Sequence, residues 1–501
     1  MDNENLSTDA QNEHKGPNVV NLNEDAKNGQ TKCPKCGATD ISLNVKNGKL
    51  RCNFCRHEFE PQKLETNEKD LSNLKGETIG SGATDIIADT KDILTFKCSS
   101  CGAEVVIDTA SQTQARCHWC RNTLSINEQI PNGAVPDTVL PFKIPKEEAK
   151  KSIEEFVGKR KFYAHPKFRK EFTSENVMGV YLPYMIVDSN SHACFIGQGE
   201  HETRRYSVKR GDRTETRYDA DLYAVEREFD MTVDGLTVES SLDKLDTKSK
   251  SKTTNIINSI MPFDTENCVK WDANYIKGYT SEKRDTNVNE LKGLVAAQTK
   301  DIARFAANET LGHYDRGVRW DSEDLTIKGQ TWKSAYLPVW LYSYQQKKGN
   351  DSLLHYVAVN ARTKETMGSV PIHKPKLFFV SLLVEILGAF ATFFTISNIK
   401  DSDDKYWPWI FLLAGFIYYF IIYSKYRNQG ARHGHEKETK HNVTNLRTVD
   451  EFIRKRTGLS NSSMEGANNT RVGGIGDKKF IEELAEEAEK RAKENGKEIL
   501  K

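Results

Sequence analysis

Eight of the ten cysteines lie in four Cys-x-x-Cys pairs, and the pairs repeat one spacing: 15 residues separate Cys33/Cys36 from Cys52/Cys55, and 15 separate Cys98/Cys101 from Cys117/Cys120. Each pair presents two thiolates from one tight turn. A segment of that length can form strands that bring the second turn opposite the first, completing a tetrahedral four-sulfur site. In so small a unit, metal binding supplies roughly 10–16 kcal/mol of folding free energy. The pattern predicts two zinc ribbons, one held by Cys33, Cys36, Cys52 and Cys55 and the other by Cys98, Cys101, Cys117 and Cys120. Four thiolates leave no open coordination position, so two structural zinc ions are expected, with iron the alternative metal. Redox chemistry is the rival use of a Cys-x-x-Cys, but two matched pairs at ribbon spacing argue against it. Only Cys194 and Cys268 stand outside the pairs, which favours a reducing compartment over a disulfide framework.

Within the first unit, Ile41 to Val45 and Lys49 to Cys52 flank Asn47-Gly48, a two-residue hairpin signal, and Gly37 and Gly102 follow the first knuckles where positive φ helps the turn. Lys32 to Lys63 carries seven basic against three acidic residues, and Lys97 to Arg121 three against two. Neither is the dense basic stripe of a phosphate-binding surface, so nucleic acid is disfavoured as a partner. Phe54 and Trp119, inside knuckles, read as packed. The stretch from Glu60 to Asp92 reads as a linker. Met1 to Gln30 reads as disordered, and it has no basic start followed by an apolar run that would mark a cleavable signal.

Leu377–Ser397 is long enough to cross a bilayer as a helix, and Trp407–Tyr423 sits at the lower limit of about 17 residues. The short acidic Lys400–Lys405 between them makes the pair a transmembrane hairpin. Lys374 and Lys376 before it and Lys425 and Arg427 after it put both termini in the cytoplasm by the positive-inside rule, with membrane insertion relying on this late pair. Ser381, Glu385, Gly388, Thr392 and Thr395 form one polar, small-residue seam on the first span. Glu385 is expected to bond Tyr418 or a partner's helix.

From Val139 to Pro371 the pattern is mixed α+β with a weak internal duplication. Leu140-Pro141-Phe142 precedes a helix bearing Ala149, Ile153, Phe156 and Val157, and Tyr181-Leu182-Pro183-Tyr184 opens a strand. Met261-Pro262-Phe263 precedes a helix bearing Leu291, Val295, Ile302 and Phe305, and Tyr336-Leu337-Pro338 opens another strand. Proline in each motif predicts strand starts or edge strands. Hairpin turns are expected at Lys209–Asp212 and Asn360–Glu365. His165, His192, His201, His313, His355 and His373 read as isolated, Cys194 as a core residue, and no nucleotide-binding motif occurs, so no catalytic constellation emerges. Beyond the spans, Val449, Phe452 and Ile453 suggest a short helix, Ser460 to Gly476 a linker, and Asp477 to Leu500 a charged helix.

The eight cysteines, the Tyr-Leu-Pro strands at Tyr181 and Tyr336 and the late hairpin together resemble a bacterial family of membrane-bound, TFIIB-type zinc-ribbon proteins. The family is YdjG-like and associated with an operon for a PspA-type envelope-stress protein, and some members carry a primosomal helicase-like label. The resemblance spans roughly Lys32 to Arg427. It implies a membrane scaffold that recruits a peripheral stress protein and works with a second membrane protein. The expected fold is multidomain: two small β zinc ribbons, a mixed α+β domain with weak internal duplication and a two-helix transmembrane hairpin. The expected divisions are a disordered 1–31, ribbons at 32–60 and 97–130 joined by a linker over 61–96, the duplicated cytoplasmic domain at 139–371, the hairpin at 377–423 and a charged cytoplasmic tail at 424–501. The expected function is a non-enzymatic adaptor at the cell membrane with protein partners, compatible with a homo-oligomer. The alternatives are a membrane-tethered nucleic-acid binder and an accessory subunit of a transporter or channel.

Overall fold

In the computed structural model the described residues are 18–20, 32–38, 41–61, 70–84, 93–98, 103–108, 115–121, 123–124, 129–130, 136–210, 213–241, 260–276, 278–282, 284, 286–348, 351–398, 407–428 and 438–460. A large mixed sheet carries most strands, a small three-stranded sheet lies beside the first cysteine cluster, and two long apolar helices pack on the body at their base through Leu377 and Tyr426.

The small sheet consists of β1 (Ile41–Asn44), β2 (Lys49–Cys52) and β3 (Glu58–Phe59), all antiparallel. Asn44 pairs with Lys49, so the turn has four residues and not the two expected. Asn44 is the cause. Its carbonyl accepts from the N–H groups of Asn47 and Gly48 at 3.2 and 2.8 Å, its side chain accepts from Lys46 N–H at 3.2 Å, and Gly48 takes a φ of +73°. Ile41 and Leu50 belong to the same buried cluster as Tyr275 and Ile276 of the body.

The stretch read as a linker contributes to the main sheet: β4 (Gly76–Gly80) runs parallel to Gly329–Trp332. Long-range polar contacts hold it. Asn190 Nδ2 donates to the carbonyls of Ser72 and Leu74 at 2.7 and 3.2 Å, and the buried Asp137 carboxylate accepts from the N–H groups of Gly82 and Ser334 at 2.7 and 2.8 Å. Asn18–Val20, inside the segment read as disordered, pairs in parallel with Thr78–Gly80. In the second cysteine unit β5 (Ile93–Lys97) and β6 (Glu104–Asp108) are antiparallel, and β6 extends into the main sheet through Val105 and Val106 opposite Glu282 and Ser281. This unit is therefore fused to the body.

Two runs of elements follow. The first is β7 (Thr138–Val139), α1 (Lys146–Gly158), α2 (Pro166–Glu171), β8 (Met178–Arg210) and β9 (Arg213–Glu239). The second is β10 (Thr280–Glu282), α3 (Val288–Glu309), β11 (Val318–Lys348), β12 (Asp351–Asn360) and β13 (Thr366–Gly368). Helix α1 buries Ala149, Ile153, Phe156 and Val157 as its periodicity requires, and α3 buries Leu291, Val295 and Ile302. The β8–β9 turn falls between the paired Arg210 and Arg213, and β12 and β13 close the second hairpin, both where expected. Strands β8 and β11 pair antiparallel so that the two Tyr-Leu-Pro segments face each other, Tyr181 opposite Pro338 and Pro183 opposite Tyr336.

The prolines lie inside these strands, neither at their starts nor at an edge. On one flank of β8 the pairing with β10 ends at Tyr181 and that with β9 begins at Tyr184; on one flank of β11 the pairing with β7 ends at Tyr336 and that with β12 begins at Val339. Pro183 and Pro338 sit at these seams. Their carbonyls accept from Ser240 and Ala361 N–H at 3.2 and 3.1 Å, so their nitrogens face the same flank and no ladder bond is forfeited.

After β13 come α4 (Lys374–Asn398), a 3-10 stretch Trp407–Leu413 and α5 (Ala414–Asn428). Lys374–Ser397 and Trp409–Tyr426 are long and apolar enough to cross a membrane, and most of their large apolar side chains, such as Phe379, Phe390, Phe393 and Phe416, are exposed. A core hairpin would bury them. The small-residue seam does face the second helix: Ser381 and Thr392 are buried, Gly388 lies against the Phe411 carbonyl and Gly415 against that of Ser381. Glu385, however, accepts from Gly415 N–H at 2.8 Å and does not meet Tyr418, whose hydroxyl bonds that of Tyr163 at 2.8 Å. Glu385 thereby supplies an acceptor to an amide in the first turn of α5.

The chain then returns to the sheet. Where a short helix was read around Val449–Ile453, β14 (Lys440–Ser460) is a strand antiparallel to β9. Arg227, 2% exposed, donates to Asp450 at 2.9 Å, and the buried Glu200 takes an ion pair from Arg456, so the outer edge of β9 outcompetes local helix preference. The Lys400–Lys405 turn, most of the Ser460–Gly476 linker and the Asp477–Leu500 helix lie outside the described residues.

Candidate metal centres

Cys33, Cys36, Cys52 and Cys55 converge with all sulfurs within 4.8 Å of one another, Cys33 to Cys55 and Cys36 to Cys52 both at 3.6 Å. A regular tetrahedron of sulfurs about 2.3 Å from a zinc ion has edges of about 3.8 Å, whereas a disulfide needs about 2 Å. The donor set and its spacing fit a metal ion. The same turn builds each half: Gly37 N–H donates to the Cys33 carbonyl at 2.8 Å and Arg56 N–H to that of Cys52 at 2.9 Å, with φ of +73° and +61°. Glycine was expected at the first position. At the second, arginine adopts the same φ, so the place after the knuckle decides the conformation and the residue type only eases it.

Cys33 and Cys36 differ in how readily they ionise. Burial pushes the Cys33 thiol up, but the backbone amides of Cys36 and Lys35 and the neighbouring thiols bring it down to about 7. For Cys36 the amide of Ala38 pulls down, while burial and the sulfurs of Cys55, Cys52 and Cys33 together push the thiol up to about 12. The Cys33 thiolate forms more easily than that of Cys36, and a divalent cation between them would favour the thiolate at both.

In the second centre Cys98, Cys117 and Cys120 converge, with Cys98 to Cys120 at 3.3 Å; Cys101, the fourth expected ligand, lies outside the described residues. The turn recurs, with Arg121 N–H on the Cys117 carbonyl at 2.8 Å and a φ of +61°. This knuckle is embedded in the body. Trp119 is buried edge-on against Tyr356 at 5.3 Å, His118 Nε2 lies 3.4 Å from the buried Glu282, Ser343 Oγ donates to the His118 carbonyl at 2.5 Å, and Arg121 stacks 4.4 Å over Tyr342. His118 and Arg121 carry no metal-ligand signal in the sequence beyond the place of a histidine between two candidate ligands. Phe54 occupies in the first unit the position of Trp119, yet it is 81% exposed where packing was expected.

The histidines read as isolated are partly paired. His201 stacks on His313 at 4.3 Å, His165 meets His373 at 5.9 Å, and His192 bonds Asp230 at 2.9 Å. Among the described residues none of these joins a third ligand within metal-binding range. Cys268 is buried, which pushes its thiol up to about 12, whereas Cys194, read as a core residue, is partly exposed between acidic neighbours. The chain thus holds two cysteine groups that could each bind a metal ion, two helices of membrane-spanning length and a large mixed sheet. No protein-family model, no curated protein and no solved structure matches the chain.

Proposed function

We propose that this chain is a membrane-anchored, non-enzymatic adaptor. One structural zinc ion is held by Cys33, Cys36, Cys52 and Cys55 and a second by Cys98, Cys101, Cys117 and Cys120. They brace a body made of a duplicated α+β unit, which α4 and α5 tether to the cytoplasmic face of the cell membrane. The body recruits protein partners there, and the family resemblance suggests a peripheral envelope-stress protein and a second membrane protein. The observation that carries this reading is that the sheet continues on both sides of the helix pair. Strand β13 precedes α4 and β14 follows α5, and both belong to one sheet, so both ends of the pair emerge on one side. Lys374, Lys376 and Lys425 sit at those ends, the side that the positive-inside rule makes cytoplasmic. The test is crosslinked pull-down from membranes with the wild-type chain and a Cys33→Ser, Cys98→Ser variant. Loss of the captured partners in the variant, with membrane insertion retained, is the expected result; an identical partner set overturns the reading.

One observation favours a second reading, a membrane-tethered nucleic-acid binder. The exposed Phe54 stands between the exposed Arg51 and Arg56, a ring and two cations suited to stacking on a base beside phosphates. Titrating the full chain with single-stranded oligonucleotides at several salt concentrations distinguishes the two: tight binding with a steep salt slope, lost in Phe54→Ala, supports this second reading.

A further inference from the structure

The loop between α1 and α2 is fastened to the base of the helix pair by contacts unrelated to either cysteine centre. Tyr163 N–H donates to the Tyr426 hydroxyl at 3.3 Å, and the Tyr163 hydroxyl bonds Tyr418, two turns further along α5. The Tyr163 carbonyl accepts from His373 N–H at 2.8 Å at the start of α4. Lys376 Nζ donates to the Phe162 carbonyl at 2.8 Å and lies 3.7 Å over the Phe162 ring. These bonds fix the loop at the boundary between the apolar helices and the body. Phe162 is nonetheless 59% exposed at that boundary.

The charge there has one sign. Gly158 to Lys170 holds six basic residues and no acidic one, and the adjoining helix ends add Lys374, Lys376 and Lys425. Among the described residues no carboxylate pairs with Lys161, Lys374, Lys376 or Lys425, although nearby Lys159 is matched by Glu155 at 2.7 Å. Phe420, Ile421, Ser424 and Lys425 share one nearly flat face of α5, which passes from apolar to cationic within about one helical turn. An exposed ring among cations that carry no carboxylate partner, Lys376 over Phe162 and Lys374 5.7 Å over the Tyr423 ring, at the level where two membrane-length helices end, matches a lipid whose acyl chains meet apolar surface and whose phosphate meets lysine.

We propose that the Lys161–Tyr163 loop, with Lys374 and Lys376, forms a binding site for an anionic phospholipid headgroup, with Phe162 inserted among the adjacent acyl chains. The site rests on the membrane reading above and adds a lipid preference to it. Attraction of about 1 kcal/mol per surface lysine corresponds to roughly a fivefold preference for each cation engaged.

The full chain, purified in neutral detergent with equal amounts of phosphatidylglycerol and phosphatidylcholine, is examined by native mass spectrometry for retained lipid. Wild type is expected to retain phosphatidylglycerol at least tenfold over phosphatidylcholine. A Lys161→Gln, Lys374→Gln variant is expected to lose most of that preference while keeping the same bound metal and the same phosphatidylcholine. Phe162→Ala, which removes the ring beneath Lys376 but keeps the backbone bonds of the loop, is expected to weaken retention of the anionic lipid severalfold. Equal retention of the two lipids by wild type, or an undiminished preference in both variants, overturns the site. A chain that stays monodisperse and lipid-free after detergent removal overturns the membrane reading itself, an outcome distinct from loss of lipid preference.

Discussion

Replacing Arg227 by alanine should release β14 from the sheet. The guanidinium is almost wholly buried and donates to Asp450 Oδ1 and Oδ2 at 2.9 and 3.4 Å, to Thr310 Oγ1 at 2.8 Å and to the Val449 carbonyl at 3.4 Å. Breaking a buried ion pair costs about 3–5 kcal/mol when the surviving charge is stranded. Asp450 would not be stranded, because its side chain is 41% exposed and still accepts from the Tyr314 hydroxyl at 2.6 Å. The cost then reduces to the lost charge-assisted bonds, about 2–3 kcal/mol. That energy falls on β14 selectively, since β9 remains paired with β8 along its other flank. The opening equilibrium of β14 should rise by a factor of about 30–150, at 1.4 kcal/mol per tenfold. Hydrogen exchange on the full chain in detergent measures this. Peptides covering 447–456 should exchange faster by about that factor, those of β8 should not change, and Arg227→Lys should fall between the two. If 447–456 exchange as in wild type, or if β8 accelerates equally, Arg227 does not latch the strand and the reasoning fails.

Three further outcomes follow from the same contacts. Cys98→Ser should make the body between 136 and 460 markedly more protease-sensitive, because Trp119, His118 and Arg121 fasten that knuckle to it, whereas Cys33→Ser, whose ribbon meets the body through Ile41 and Leu50, should do so to a smaller extent; limited trypsin digestion with metal analysis separates the two. Burial pushes the Asp137 carboxyl up to about 6, against the pull of the Gly82 and Ser334 amides and of Arg284. Its ionisation therefore disfavours the folded state, so the contribution is most favourable below about pH 4 and is lost as pH rises to about 6, a change of about 3 kcal/mol. Asp137→Asn should abolish that component of the urea midpoint's pH dependence over this window, and a slope equal to that of wild type would refute it. Glu385→Leu removes the acceptor for Gly415 N–H and should destabilise the helix pair by about 1–3 kcal/mol, while Glu385→Gln, which keeps an oxygen there, should cost less; thermal aggregation in detergent is the readout.

Much of the local structure was legible in the chain itself. The cysteine spacing announced both centres because a knuckle is closed by residues within a few positions of one another, and Gly37, the α1 periodicity and the β8–β9 turn are local in the same sense. The two apolar stretches announced membrane-length helices because length and composition alone set that property. Other features depended on partners far along the chain. Nothing near Gly76–Gly80 marks it as a strand; Trp332, Asn190 and Asp137 place it there. The β14 sequence reads as a weak helix until Arg227 and Glu200, more than 200 residues away, claim Asp450 and Arg456. Phe54 and Trp119 hold equivalent places in matching knuckles, and one is exposed while the other is buried because Tyr356 stands beside only the second. Backbone turns and metal-ligand geometry are decided by neighbours in sequence, so they are written there; strand register, burial and the partner of a charge are decided by which distant surface wins a competition for contact, and that competition takes place only in the folded chain.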